Sequence, residues 1–146
     1  MRAMGGNIWI RRLGTGLLTW LVPFLVAIPF YSGDGTLLTD TALFKSAMIV
    51  VSCITAAGLM IWFFSRATPP YAREAVITGM LWLFMNWGID LLVLVGLLGM
   101  PPSEYVTQIG VRYLMIPTMV ITAGVIADHA IDRKKESKNP PASDFL

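Results

Sequence analysis

The sequence predicts an all-α integral membrane protein, a four-helix bundle with antiparallel neighbouring helices and both termini on the cytoplasmic side. Three observations carry that expectation. Four apolar stretches, residues 13–31, 46–64, 75–100 and 106–130, each come near or above the ~20 residues that a helix needs to cross a bilayer. The 146-residue chain is 55% hydrophobic and only 14% charged, against about 25% charged residues in an ordinary soluble domain, and its mean hydropathy is +0.67. The Lys and Arg residues fall almost entirely on alternate connectors.

The first stretch follows Arg2, Arg11 and Arg12. Its apolar run is longer than the ~7 to 15 residues of a signal-peptide core, and its exit, Ile28-Pro29-Phe30-Tyr31-Ser32, lacks the small-x-small pattern of a cleavage site. It reads as an uncleaved span, with Pro23 predicting a kink inside it. Ser32 to Thr36 is a turn in which Asp34 and Asp40 offer too few oxygen ligands for a calcium loop.

The second stretch pairs Ser52 with Ala56 and Cys53 with Ala57 at four-residue spacing, and Gly58 follows. With Gly14 and Gly16 in the first, these small residues suit close helix contact in lipid. Cys53 is the only cysteine, so an intrachain disulfide, a Cys-x-x-Cys pair and a zinc knuckle are excluded. Pro69 and Pro70 precede the third stretch, and Pro101-Pro102 ends it. Ser103 is placed to cap the fourth, with Glu104 favourable at a helix N-terminus, and Pro117 predicts a bend within that helix.

Residues 1–136 thus form one transmembrane domain. Residues 137–146, containing Asn139-Pro140-Pro141, have no periodicity and read as a disordered cytoplasmic tail.

Orientation follows from the charges. Arg2, Arg11, Arg12, Arg66, Arg73, Arg133, Lys134, Lys135 and Lys138 lie on one set of alternate connectors, and Lys45 and Arg112 on the other. The positive-inside rule puts the richer side, and with it both termini, in the cytoplasm. A prokaryotic cytoplasmic membrane is the expected location. Trp9, Trp62, Phe63, Phe64 and Tyr71 would then lie at the inner interface, and Phe30, Tyr31 and Tyr105 at the outer one. Arg133, Lys134, Lys135 and Lys138 are placed to meet anionic lipid headgroups. Basic residues beside spans leave no footprint for nucleic acid. Asp128, His129 and Asp132 read as capping charges, and neither a metal site nor a cofactor is expected.

Function, if written in the sequence, lies in polar residues inside the spans. Asp90 is the foremost, with Asn86 and Trp82 on the same helical face and Trp87 adjacent. If the hairpin pivots around Pro102, Arg112 of the fourth helix lies about one half-turn outward of the level of Asp90, with Gln108 near the outer mouth. An intramembrane cluster of Asp90, Asn86, Arg112, Gln108 and Trp87 is therefore expected, as a structural lock between helices. No nucleophile or second acid/base group accompanies it, so an enzyme is not expected. The resulting reading is a scaffold, accessory or assembly subunit that associates with itself or with another membrane protein. The alternative is a small oligomeric transporter or channel that uses the same cluster.

Overall fold

The structure is a computed structural model that describes residues 4–138. Among them the chain is all-α, with no strand: α1 (Met4–Ala27), α2 (Thr41–Phe64), α3 (Tyr71–Asp90), α4 (Pro102–Gln108) and α5 (Met115–Lys138). A π-helical segment, Leu91–Leu97, prolongs α3, and a 3-10 segment, Gly110–Leu114, leads into α5. Four helical stretches are long and apolar enough to cross a membrane: Ile8–Phe30, Thr41–Phe64, Tyr71–Leu97 and Gly110–Lys138. They mark the chain as a membrane protein. Ser137 and Lys138 are the last residues of α5, and the rest of the expected tail lies outside the described residues.

Each helix end has a physical cause. The Asp40 carboxylate accepts from the Ala42 and Leu43 N–H groups at 2.9 and 3.0 Å, so α2 starts five residues before the apolar run begins. In the turn before it, Asp34 accepts from the Ser32 hydroxyl and from the Thr36 N–H and hydroxyl. These bonds, the Ser32 one foremost, hold the exposed Asp34 carboxyl at about 2, down from its ordinary 3.8. A depressed folded value means that the turn's contribution is complete above the ordinary value and is lost as pH falls through about 2.

Pro70, at the cap position of α3, has no side-chain acceptor, and Asp128 of α5 fills that role by accepting from the Tyr71 and Ala72 N–H groups at 2.8 and 2.7 Å. The end of α2 is closed by α1, whose Arg11 guanidinium donates to the Phe63 and Arg66 carbonyls at 2.8 and 3.1 Å. Arg11 also lies over the Trp62 and Phe63 rings.

The second half of the chain departs from the expected pattern. The π segment closes with the Met100 N–H on the Leu94 carbonyl at 2.9 Å, around Gly99 at φ +70°. The next helix begins at Pro102, with Pro101 at the cap position and no side-chain cap bond, so Ser103 is not the cap. Proline at the first helical position has its φ already set and loses no hydrogen bond there, which makes a serine cap unnecessary. The expected fourth helix over 106–130 is not continuous: it breaks at Ile109, at φ −127° and ψ −55°, and regains α geometry only at Met115. Pro117 therefore stands in the first turn of α5, where its missing N–H costs little, instead of bending a helix interior.

Helix α3 is the centre of the packing, with α1 on one side and α5 on another. Trp82, Ala75 and Val120 form the buried core, with Leu59, Met60, Phe64 and Ile116 against it. The close approaches are made by glycine. A Cβ at Gly16 would lie 2.8 Å from Trp82 Cδ1, one at Gly79 3.0 Å from Pro117 Cα, and one at Gly124 2.8 Å from the Tyr71 carbonyl and against Ala75 Cβ. By contrast a Cβ at Gly14 or Gly58 would meet nothing within 4 Å.

Gly124→Val should accordingly lower thermal stability in detergent by about 1–3 kcal/mol, since the obstructing atoms include α3 backbone. Gly58→Ala should leave it unchanged or raise it by up to ~1 kcal/mol.

Candidate functional site

Glu74, Thr78, Trp82, Asn86 and Asp90 recur every four residues along α3 and so share one stripe. The stripe is ~24 Å long at 1.5 Å per residue, most of the ~30 Å thickness of a bilayer's hydrocarbon core. Facing it, α1 presents Arg12, Thr15, Gly16, Thr19 and Trp20. All but Trp20 of these are buried, and Gly16 lets the Trp82 indole lie directly on the α1 backbone.

The two helices are joined by four polar rungs. Arg12 forms an ion pair with Glu74, their side chains 5% and 21% exposed. Trp82 Nε1 donates to the Arg12 carbonyl at 3.0 Å. Asn86 Nδ2 donates to Thr19 Oγ1 and to the Trp82 carbonyl, both at 2.8 Å. Trp20 Nε1 donates to Asp90 Oδ1 at 2.5 Å. Asn86 is fully buried and Asp90 is 2% exposed, so at this level the rungs stand in place of water.

Asp90 is the last α-helical residue before the π segment. Short π segments occur disproportionately at functional sites. Two phenols lie near its carboxyl from the following part of the chain, Tyr105 of α4 and Tyr113 of the 3-10 segment, and neither is hydrogen-bonded to it among the described residues. Tyr105 was expected at the outer interface and is instead 3% exposed, its ring under Gly110, where a Cβ would lie 3.3 Å from Cε1.

Of the five residues expected in one cluster, the structure brings together Asp90 and Asn86. Arg112 does not pair with Asp90: among the described residues the ion pairs are Arg12–Glu74 and Lys135–Asp132. The expected register assumed a continuous α-helix on both sides of the hairpin. A π segment after Asp90 and a 3-10 segment around Arg112 change the rise and rotation per residue, and the two side chains lose their alignment. Trp87 leaves the stripe and donates to the Gly110 carbonyl at 2.9 Å, supporting the irregular backbone before α5. Gln108 is bonded to Glu104 at 2.7 Å on the exposed side of α4. Arg133, Lys134, Lys135 and Lys138 project from the end of α5 and are exposed, with Lys135 3.5 Å from Asp132.

Arg12, Glu74, Thr19, Trp20, Tyr105 and Tyr113 complete the site and were not assigned to it from sequence. The four-residue recurrence from Glu74 to Asp90 was the available signal for the α3 side. No family model, curated protein or solved structure matches the chain.

Double-mutant cycles on thermal stability check this assignment. Glu74→Gln alone should cost about 3–5 kcal/mol, because it leaves the buried Arg12 unpaired, Arg12→Gln should cost less because Glu74 is 21% exposed, and the double variant should lose less than the sum. Thr19→Val and Asn86→Ala should couple by about 0.6–2 kcal/mol. Asp90→Asn and Arg112→Gln should be additive within about 0.5 kcal/mol.

Proposed function

We propose that this chain is a small polytopic protein of a prokaryotic cytoplasmic membrane that works through helix contacts, as a scaffold, accessory or assembly subunit. The observation that carries the reading is the joining of α1 to α3 by interhelical bonds at four levels. Polar contacts of this kind are what fix helices against one another in lipid, where no hydrophobic force separates helix from tail. The opposite faces are apolar and open: Ile54 and Ile61 of α2 are 69% and 70% exposed, and Leu92 and Leu97 of the π segment 72% and 79%. Those faces meet lipid, a second copy of the chain or another membrane protein.

In this reading neighbouring spans run antiparallel in one bundle. Support comes from helix ends that meet: Arg11 near the start of α1 caps the end of α2, and Asp128 late in α5 caps the start of α3. Both termini are cytoplasmic, on the strength of nine basic residues on one set of connectors against two on the other. Arg133, Lys134, Lys135 and Lys138 then face anionic headgroups of the inner leaflet.

Topology is checked with single cysteines in a Cys53→Ser background. Cysteines at Ser32 and Ser103 should react only from outside the cell, and labelling from the cytoplasm alone would reverse the orientation. A locked interface also predicts that Asn86→Cys resists water-soluble thiol reagents and that reconstituted protein gives no ion flux above empty liposomes. Rapid labelling at position 86, with a flux that a well-folded Asp90→Asn variant loses, would replace the scaffold by a transporter.

A further inference from the structure

Three buried side chains at the far end of the ladder keep an oxygen without a hydrogen-bond partner among the described residues: Asp90 Oδ2, Asn86 Oδ1 and Tyr105 Oη. Their residues are 2%, 0% and 3% exposed, so solvent does not satisfy them. The identity of the free Asn86 atom is fixed by its bonds. The Trp82 carbonyl can only accept, and the Thr19 hydroxyl already donates to the Gly16 carbonyl at 2.7 Å. Both must therefore receive the amide N–H groups, which leaves the amide oxygen free. Asp90 Oδ1 has the Trp20 N–H, and Oδ2 has nothing equivalent.

The site is accordingly made of oxygens. Asp90 and Asn86 stand one turn apart on one face, and Tyr105 and Tyr113 lie near the carboxyl from α4 and the 3-10 segment. Among the described residues no cationic side chain lies within ion-pair distance of Asp90. Arg12 is engaged by Glu74 about four turns away, and Arg112, next to Tyr113, forms no ion pair among the described residues. Among the described residues Tyr105 and Tyr113 are the titratable groups near Asp90, and α1 places Trp20 and Thr19 at this level of the stripe. A carboxylate in so apolar a setting requires a counter-charge. We infer that Asp90 Oδ2, Asn86 Oδ1 and Tyr105 Oη form an intramembrane site for one exchangeable monovalent cation, a proton or a sodium ion. The inference goes beyond the scaffold reading and does not depend on it, because a bound cation can set the strength of a helix contact without being transported.

Carbodiimide labelling of the full-length protein in detergent, mapped by peptide mass, tests the site, because the reagent modifies protonated carboxyls in apolar surroundings. Asp90 should be modified. If the guest is a proton alone, the rate falls about tenfold per pH unit above the midpoint and ignores added NaCl. If it is sodium, NaCl protects about tenfold at ten times its dissociation constant, whereas KCl and choline chloride at equal ionic strength do not. Tyr105→Phe should shift the pH midpoint or the half-protecting NaCl concentration by about tenfold, as expected when the bound cation loses one of its polar partners. Arg112→Gln should shift neither. The site is overturned if Asp90 in folded protein stays unmodified across the pH range, or reacts at a rate that neither pH nor sodium changes. It is equally overturned if Tyr105→Phe leaves the midpoint in place or Arg112→Gln moves it. A failure of the scaffold reading would appear as flux in liposomes, which is a separate measurement.

Discussion

A polar atom inside an apolar span has no water to turn to, and the joint between α1 and α3 follows from that constraint. Four positions of the α3 stripe, Glu74, Trp82, Asn86 and Asp90, carry groups that would each be costly in hydrocarbon, and each finds its partner on α1. The partners are of the types that a short interhelical distance permits: a backbone carbonyl, a threonine hydroxyl, an indole N–H. That distance depends on Gly16, since any side chain there would displace the Trp82 ring and with it the rung to Arg12.

The joint between α3 and α5 is of a different kind. Within the apolar zone it rests on fit, with Gly79 against Pro117 and Gly124 against Ala75 and the Tyr71 carbonyl. The hydrogen bonds that cross it lie at its margin, where Asp128 supplies the cap that Pro70 lacks. A joint held by shape discriminates strongly against added volume, and one held by hydrogen bonds against loss of a partner. Helix α2 has neither device along most of its length and depends on Arg11 and on loose apolar contact, which leaves its outer face free for lipid or another chain.

The four spans were legible because hydropathy and length record what a bilayer demands. Asp90 and Asn86 were legible together because they are one turn apart in a regular helix. Reading failed where the backbone stops being regular. Nothing in Leu91–Leu97 distinguishes π from α geometry by composition, and the break at Ile109 was signalled only by Gln108 and Gly110 beside it, so the register that set Arg112 opposite Asp90 rested on an unbroken helix that the chain does not form. Burial misled in a second way. Arg12 was counted as a topology charge, yet it is 4% exposed, because Glu74 stands where α1 and α3 meet and neutralises it in place. Trp20 looked like one more apolar residue of the first span, since an indole shows its polar N–H only when a particular acceptor is opposite.

The irregular second half also sets how the Asp90 site communicates with the rest of the molecule. On its α1 side the carboxyl is held by Trp20, part of a continuous helix tied at three further levels. On its other side it meets Tyr105 and Tyr113, which come from a short helix and a 3-10 turn separated by Ile109. That backbone is irregular, two short helical pieces broken at Ile109, and the Trp87 indole holds the Gly110 carbonyl. Segments of this description open locally at lower free energy than helix interiors. A cation exchanged at the site proposed for Asp90 would therefore act first on the segment between Tyr105 and Leu114. The same asymmetry explains how one stripe can serve as a rigid joint along most of its length and still end in a group able to exchange.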